Sequence, residues 1–328
     1  MKNFLLHRAL FFFAGLLFVF VGSSCVKDGS VPCDNTLRIV YDYNMSRVDT
    51  FEKQVEFLSI FVFDSVTGLF HAEYKFQGPF DGGFEWTVPE DLYGADYDYL
   101  VWAGLDSDSY AFTSPEKGVT GLEEFRVQVK GYADQFVGRD LEPLWHGIIR
   151  DVRFTINDEK TEVISLMKDT NTFRLVFSFV EEGEIVYPYD VNDLETSIYS
   201  ADGWYNQDNT VLDPVDRPIR YLSYHGANDV NAGLVYELNT LRLMNERETT
   251  LVLKKKEGEE IFRMPLNYYL NLLRLTEEIW ITNQQEYLDR EDNFRIVIFM
   301  SNDGGGEDSW ASFRITINDW VVREHGIG

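Results

Sequence analysis

The chain has 328 residues, 45% of them hydrophobic and 15% aromatic, which excludes a disordered stalk and leaves room for about two domains of ~150 residues each. A formal net charge of −26 excludes attraction of nucleic acid or anionic lipid to a basic surface. With only two cysteines, Cys25 and Cys33, disulfides do not hold the fold together, so hydrophobic cores must.

The N-terminus sets the organisation. Lys2 and Arg8 flank an opening that leads into an apolar run of 14 residues, Ala9–Gly22, followed by Ser23 and Ser24. A basic start, a short apolar core and a small-residue end predict a secretory signal peptide over residues 1–24. The run is too short for a membrane span, which needs about 20 residues. Cys25 follows directly, as in a bacterial lipobox, although Gly22 stands where such boxes usually carry Leu. An acylated Cys25, carrying palmitate-type chains, becomes the mature N-terminus and a membrane tether. Each buried CH₂ contributes about 0.8 kcal/mol, and two or more chains anchor stably. The bland alternative is a secreted protein in which Cys25 is free and can close a loop with Cys33. If Cys25 is acylated, Cys33 stands alone.

Residues 25–36 read as a polar linker. Leu37, Ile39, Tyr41 and Tyr43 then alternate with polar neighbours, the period of a half-buried strand. Val48–Val55 fits one or two helical turns. Phe57–Phe63 is almost wholly apolar, as in a strand buried on both faces. DSVTG (Asp64–Gly68) is a turn, and Leu69–Phe76 returns. Further strands are predicted at Phe84–Val88, Tyr97–Leu105, Phe125–Val129 and Val152–Ile156. About seven short strands separated by turn signals predict an antiparallel β-sandwich over 37–157.

The charged break NDEK (Asn157–Lys160) marks the expected boundary, and a second β-sandwich is expected over 158–328. It opens with Glu162–Leu166. Phe173, Leu175, Phe177 and Phe179 alternate after it. Ser197–Tyr199, Tyr236–Leu243, Thr249–Leu253, Phe294–Met300 and Phe313–Ile317 read as strands, and Tyr205–Pro218 as a long polar loop. Pro265 opens one amphipathic helix, with Leu266, Tyr269, Leu270 and Leu273 at helical spacing.

Residues that could carry chemistry do not form a constellation. His7 leaves with the leader, and His71, His146, His225 and His325 show no metal-ligand spacing. Asp106 and Asp108 resemble the start of a calcium loop, but Ala111 and Lys117 stand where an EF-hand needs Gly and Glu. Asn302–Asp308 reads as a flexible hairpin tip, and Lys254–Lys256 as a solvated face. No nucleophile elbow or Walker loop occurs, so neither an enzyme nor a cofactor is expected. Trp86, Trp102 and Trp280 sit in apolar contexts and read as core. Trp204, in SADGWYNQDN, is the best candidate for an exposed aromatic contact, although packing is the commoner use of such a ring.

Four segments together carry a family likeness: CVKDGSVPCDNTLRIVYDYNM (Cys25–Met45); Trp102–Ala103–Gly104 with His146–Gly147; LMKDTNTFRLVF (Leu166–Phe177); and QEYLDREDNFRIVIF (Gln285–Phe299) followed by ITINDWVV (Ile315–Val322). In this order they resemble the minor fimbrial anchor lipoproteins of Bacteroidales, which sit at the base of type V pili. The resemblance implies an all-β chain of two tandem transthyretin-like antiparallel sandwiches with one or two short helices. It implies lipidation at Cys25, an outer-membrane location exposed with the fimbrium, and a non-catalytic role in holding the fimbria and limiting its growth. It also implies fimbrial subunits as partners, joined by strand exchange. The physics of that exchange is β-augmentation, in which main-chain hydrogen bonds give affinity and alternate side chains fill pockets. Val26–Lys27–Asp28 partly resembles the acidic surface-export signals of the same phylum.

Two other readings compete. A glycan-binding lipoprotein of a polysaccharide-uptake system would also use a tether and β-sandwiches, and it predicts an exposed aromatic cluster. An acidic hydrolase would need two facing carboxylates in a cleft.

Overall fold

The computed structural model describes residues 35–105, 108–156, 159–277, 280–281, 283–302 and 310–324. Its elements are overwhelmingly strands, as the alternating sequence predicts. None of the described helices is long and apolar enough to cross a membrane.

The first sandwich packs a three-stranded sheet on a five-stranded one. The small sheet runs in the order Thr161–Ser165, Thr36–Val40, Phe84–Thr87. The larger sheet runs Met167–Lys168, Trp145–Arg153, Asp96–Ala103, Phe57–Asp64, Phe70–Gln77. Leu37, Ile39, Trp86 and Ile164 from the small sheet meet Leu58, Ile60, Tyr99 and Val101 from the large one in a single core. The other face of the Phe57–Asp64 strand carries Phe61 and Phe63 into a second core. Burial on both faces explains why that strand is apolar at nearly every position.

The second sandwich is built on Thr170–Glu181, whose Phe173, Leu175, Phe177 and Phe179 are buried. This strand sits inside a seven-stranded sheet, between Gly233–Leu241 and Asn293–Asn302. The sheet continues through Trp310–Ile317 to Trp320–Glu324 at its edge. A five-stranded sheet, Glu260–Pro265, Thr250–Lys255, Leu194–Ser200, Ile219–Leu222 and Phe136–Val137, covers the opposite side of the core. The helix expected after Pro265 spans Leu266–Glu277, and Leu266, Leu270 and Leu273 are its buried stripe. A second helix, Gln284–Arg290, is capped by Asn283, whose side chain accepts from the Glu286 amide. The helical turns expected over Val48–Val55 contract to Phe51–Gln54.

The all-β expectation holds, and two features of the strand pairing lie beyond the sequence reading. First, the sheets are not purely antiparallel. Thr36–Val40 pairs parallel with Thr161–Ser165, Thr170–Glu181 with Asn293–Asn302, and Ile219–Leu222 with Phe136–Val137. Alternation reports which face a residue occupies and is blind to strand direction. Second, strand pairing crosses residue 157. Thr161–Ser165 and Met167–Lys168 hydrogen-bond into sheets of the first half. In exchange, Phe136–Val137 joins a sheet of the second half, and Trp204–Asn206 pairs with Arg126–Val129. A charged loop such as NDEK ends a strand; it carries no information about which distant strand the next one will pair with.

Candidate functional site

The two halves meet at a buried polar junction, and every segment that carries the family likeness contributes to it. From the first segment, the Tyr41 hydroxyl donates to Asp292 Oδ2 at 3.3 Å. Its backbone is fixed by Asp49, whose Oδ1 accepts from the Tyr41 and Phe51 amides at 3.0 Å each. From the second, the His146 ring lies 4.8 Å from Trp102, and Nε2 is 2.9 Å from the Gln207 carbonyl. A carbonyl only accepts, so Nε2 carries the proton. Burial pushes the His146 pKa down to about 4, so the ring is neutral. Gly104 closes the same segment at φ +88°, and a Cβ there would lie 2.0 Å from Pro143 O.

The third segment supplies Lys168, Asp169, Thr170 and Asn171. Lys168 Nζ lies 2.7 Å from Asp292 Oδ2. Asn171 Nδ2 donates to Leu241 O at 2.8 Å, and the Leu144 amide donates to Thr170 Oγ1 at 3.2 Å. Asp169 is fully buried and accepts from Asn209 Nδ2 at 2.7 Å; burial pushes its carboxyl up to about 7. The fourth segment supplies Asp289, which is paired with Arg242. Burial opposes the Arg242 charge, but the Asp289 hydrogen bonds and charge more than offset it. Gln285 Nε2 also donates to Asp289 Oδ1 at 2.7 Å. Nearby, the Arg290 guanidinium stacks 3.9 Å from Tyr43 and 5.1 Å from Trp280, whose ring also lies 3.9 Å from the Arg47 guanidinium.

The likeness therefore marks a closed joint. Asp292 links the halves, accepting from the Tyr41 hydroxyl and pairing with Lys168, while Arg242 and Asp289 pair within the second half. Sequence reasoning missed Arg242, Asp289, Asn209 and Gln207. A usable signal existed for Arg242, a lone cation between Leu241 and Leu243 in an otherwise apolar strand end.

The remaining candidates scatter. Cys25, Cys33, His7, His325, Asp106 and Asp303–Asp308 lie outside the described residues. His71 packs 5.2 Å from Tyr97, and His225 is exposed on a strand. Among the described residues, no group of three or more His, Cys, Asp or Glu side chains is placed to hold a metal ion. Trp204, the expected exposed contact, is half-buried, with its ring 5.9 Å from Tyr132 and its amide donating to Asp213 Oδ2 at 2.9 Å. Trp86, Trp102, Trp145 and Trp310 are buried. The exposed indole is Trp320, 46% accessible beside Val321 at 45%, on the edge strand of the seven-stranded sheet. Among the described residues, that strand pairs only with Trp310–Ile317, and the helix Leu266–Glu277 lies against it, with Arg323 Nη1 donating to the Tyr269 hydroxyl at 3.4 Å. The Phe70–Gln77 edge of the first half instead carries Glu73 and Lys75, paired at 3.3 Å, the usual protection against unwanted pairing.

Comparison with known proteins agrees with this architecture. The family of Fimbrillin-A associated anchor proteins Mfa1 and Mfa2 matches residues 30–326. A candidate polysaccharide-binding protein from Bacteroides thetaiotaomicron is 31% identical, with a TM-score of 0.78 over 89% of this chain and 98% of that one. A candidate adhesin from Bacteroides ovatus, 22% identical, gives a TM-score of 0.76 over 92% and 98%. The fimbrial anchor protein Mfa2 from Porphyromonas gingivalis shares the fold at 18% identity, with a TM-score of 0.68 over 89% and 99%. No curated protein sequence matches. The match spans both sandwiches and the joint between them, and the chain belongs to the family of Fimbrillin-A associated anchor proteins.

Proposed function

We propose that this protein is the anchor of a type V fimbria, a non-catalytic lipoprotein held in the outer membrane by acyl chains on Cys25 and exposed at the cell surface with the fimbrium. It grips a fimbrial subunit and ends the growth of the fibre. Family membership supports a fimbrial anchor or adhesin role. The observation that carries the finer reading is the course of the chain. Ten residues of sequence separate Cys25 from Thr36–Val40, the central strand of a sheet, so a membrane tether at Cys25 would hold the folded body by its core. At the far end of the sequence, Trp320–Glu324 is the last strand of the seven-stranded sheet, the position where β-augmentation would add a partner's strand.

Substituting Cys25→Ala tests the reading. Fimbriae should appear in the medium, and the protein should leave the membrane fraction. Normally attached fimbriae in that variant would overturn it.

A second reading has one specific observation in its favour. The relative at 31% identity is described as a candidate polysaccharide-binding protein, and Trp320 presents an exposed indole that could stack on a sugar ring. Capture with a tagged chain from detergent-solubilised outer membrane separates the two. A pilin-like subunit supports the anchor. An outer-membrane transporter with companion lipoproteins supports glycan capture.

A further inference from the structure

The geometry points to a mechanical clamp in the parallel pair Thr36–Val40 and Thr161–Ser165, one that makes a pull on the tether a shear rather than a peel. The inference rests on the anchor reading only for the source of the pull.

The register of the pair is Thr36↔Thr161, Leu37↔Glu162, Arg38↔Val163, Ile39↔Ile164 and Val40↔Ser165. The Thr36 amide donates to Lys160 O at 2.9 Å, and the Leu166 amide donates to Val40 O at 2.8 Å, so the ladder runs the full length of the strand. The Thr36 and Thr161 hydroxyls share a further bond at 2.8 Å. Leu37, Ile39 and Ile164 lie in the core beneath the ladder. Gly147 lets the seam sit close against the neighbouring strand, because a Cβ there would meet Ile164 Cγ2 at 2.6 Å and Leu166 Cδ2 at 2.8 Å.

Direction is what matters. A tether at Cys25 draws Thr36–Val40 toward its N-terminal end. The second half is joined to Thr161–Ser165 at its C-terminal end, through Met167–Lys168 and then Thr170–Glu181 in the middle of the seven-stranded sheet. In a parallel pair these two ends lie at opposite extremities. A load between the membrane and anything held by the second half therefore runs along the strands, and the ladder's hydrogen bonds share it at once. Had the pair been antiparallel, both pulls would meet at one extremity and the bonds would open singly. Forced unfolding is governed by the unfolding rate, so a geometry that makes several bonds break together slows it without changing equilibrium stability.

The same strand supplies its own control. Phe84–Thr87 pairs antiparallel with Thr36–Val40, with Thr36 opposite Thr87. Pulling residue 25 against residue 90 therefore peels the sheet from one end. Thiol handles at Cys25 and at either Glu181→Cys or Glu90→Cys, both exposed positions, in a chain from residue 25 carrying Cys33→Ser, allow the two pulls to be compared by single-molecule force spectroscopy at one loading rate. The 25/181 pair should rupture at no less than twice the force of the 25/90 pair. Within the pair, the amides at Thr36, Arg38 and Val40 alternate with those facing Phe84–Thr87. Arg38→Pro removes the amide between the two observed bonds and should lower the 25/181 force, whereas Arg38→Ala keeps that amide and should leave it unchanged. Equal forces in the two wild-type geometries overturn the clamp whatever Cys25→Ala does to fimbriae. Unequal forces together with normally attached fimbriae in Cys25→Ala overturn the anchor reading and leave the clamp standing.

Discussion

The Arg242 guanidinium grips the Asp289 carboxylate as a fork, with Nε 2.7 Å from Oδ1 and Nη2 2.9 Å from Oδ2. Arg242 Nη1 donates to Asn209 O at 3.0 Å, and the backbone amide of Arg242 donates to the Tyr205 hydroxyl at 3.0 Å. The side chains are 12% and 5% exposed, so neither charge has water to fall back on. Asp289→Ala strands the cation, and breaking a buried pair in this way costs about 3–5 kcal/mol. The expected outcome is a lower urea midpoint with an unchanged m-value. Arg242→Met with Asp289→Leu should recover much of the loss, because it removes both desolvated charges together.

His146 gives acid sensitivity with a definite sign. Its folded pKa is about 4, below the ordinary value of 6.5, so the unfolded chain takes up the proton first. Stability from this group is intact above pH 6.5 and falls as pH drops toward 4. The loss is about 3 kcal/mol across the window. Urea unfolding of the wild type and His146→Gln at several pH values checks this: the difference between them should shift toward the variant as pH falls, and be flat above pH 7.

Asp202 works in the opposite direction over nearly the same range. It is fully buried, accepts from the Tyr221 hydroxyl at 2.6 Å, and is pushed up to about 7 by burial. The folded state holds its proton longer than the unfolded chain does, so this contribution is present below pH 4 and is lost as pH rises to 7. Asp202→Asn keeps an acceptor for Tyr221 and cannot ionise. Relative to wild type it should gain up to about 4 kcal/mol between pH 4 and pH 8. Asp169, also pushed up to about 7 by burial, adds a second falling contribution, so wild-type stability should fall between pH 4 and pH 7 despite His146, more steeply in His146→Gln and less steeply in Asp202→Asn.

Much of this fold was legible in the sequence wherever burial follows period. Phe61 and Phe63 read as doubly buried because no polar residue interrupts FLSIFVF, and Leu266, Leu270 and Leu273 declared their helix by spacing. What escaped depends on pairing across long separations. Nothing local to Thr161–Ser165 says that its partner is Thr36–Val40, or that the two run parallel. The joint was half legible. Lys168–Asn171 stood out as a motif, but Arg242 and Asp289 meet across 47 positions of chain, and a charge in a sequence looks solvated until its partner is seen. Trp204 was misjudged for the same reason. A polar loop around Trp204 suggested exposure, yet the loop folds back onto Arg126–Val129, while the exposed indole, Trp320, lies on the last strand of the seven-stranded sheet.

Gly104 is a second point where one atom decides the outcome. It sits at φ +88°, a region that favours glycine, and an added Cβ would fall 2.0 Å from the Pro143 carbonyl oxygen. Backbone cannot step aside as a side chain can. Gly104→Ala should cost more than about 1 kcal/mol, the sum of a left-handed backbone penalty and a displaced loop. Gly82, at φ +82° with nothing within 4 Å of its would-be Cβ, isolates the backbone part. Gly82→Ala should lower the thermal midpoint less than Gly104→Ala, and equal losses would show that the Pro143 contact contributes nothing.

The edge strand Trp320–Glu324 separates binding from folding. Trp320 and Val321 are nearly half exposed, and their strand is held on its inner side by pairing of Trp320 with Ile317 and Val321 with Thr316. Substituting Val321→Lys puts a charge where an incoming strand would have to bury it. Exposed substitutions of this kind usually change stability by no more than about 0.5 kcal/mol. Lysine on an edge also discourages strand addition. If a fimbrial subunit adds here, Val321→Lys should keep the wild-type thermal midpoint, remain in the membrane fraction, and recover far less subunit in a capture from solubilised outer membrane. Trp320→Ala then sorts the two ligand classes. Strand addition runs on main-chain groups and should tolerate the loss of the indole, whereas stacking on a sugar ring should not. Undiminished capture by Val321→Lys would move the partner's strand to another edge of the molecule, with Phe70–Gln77 disfavoured by its paired Glu73 and Lys75.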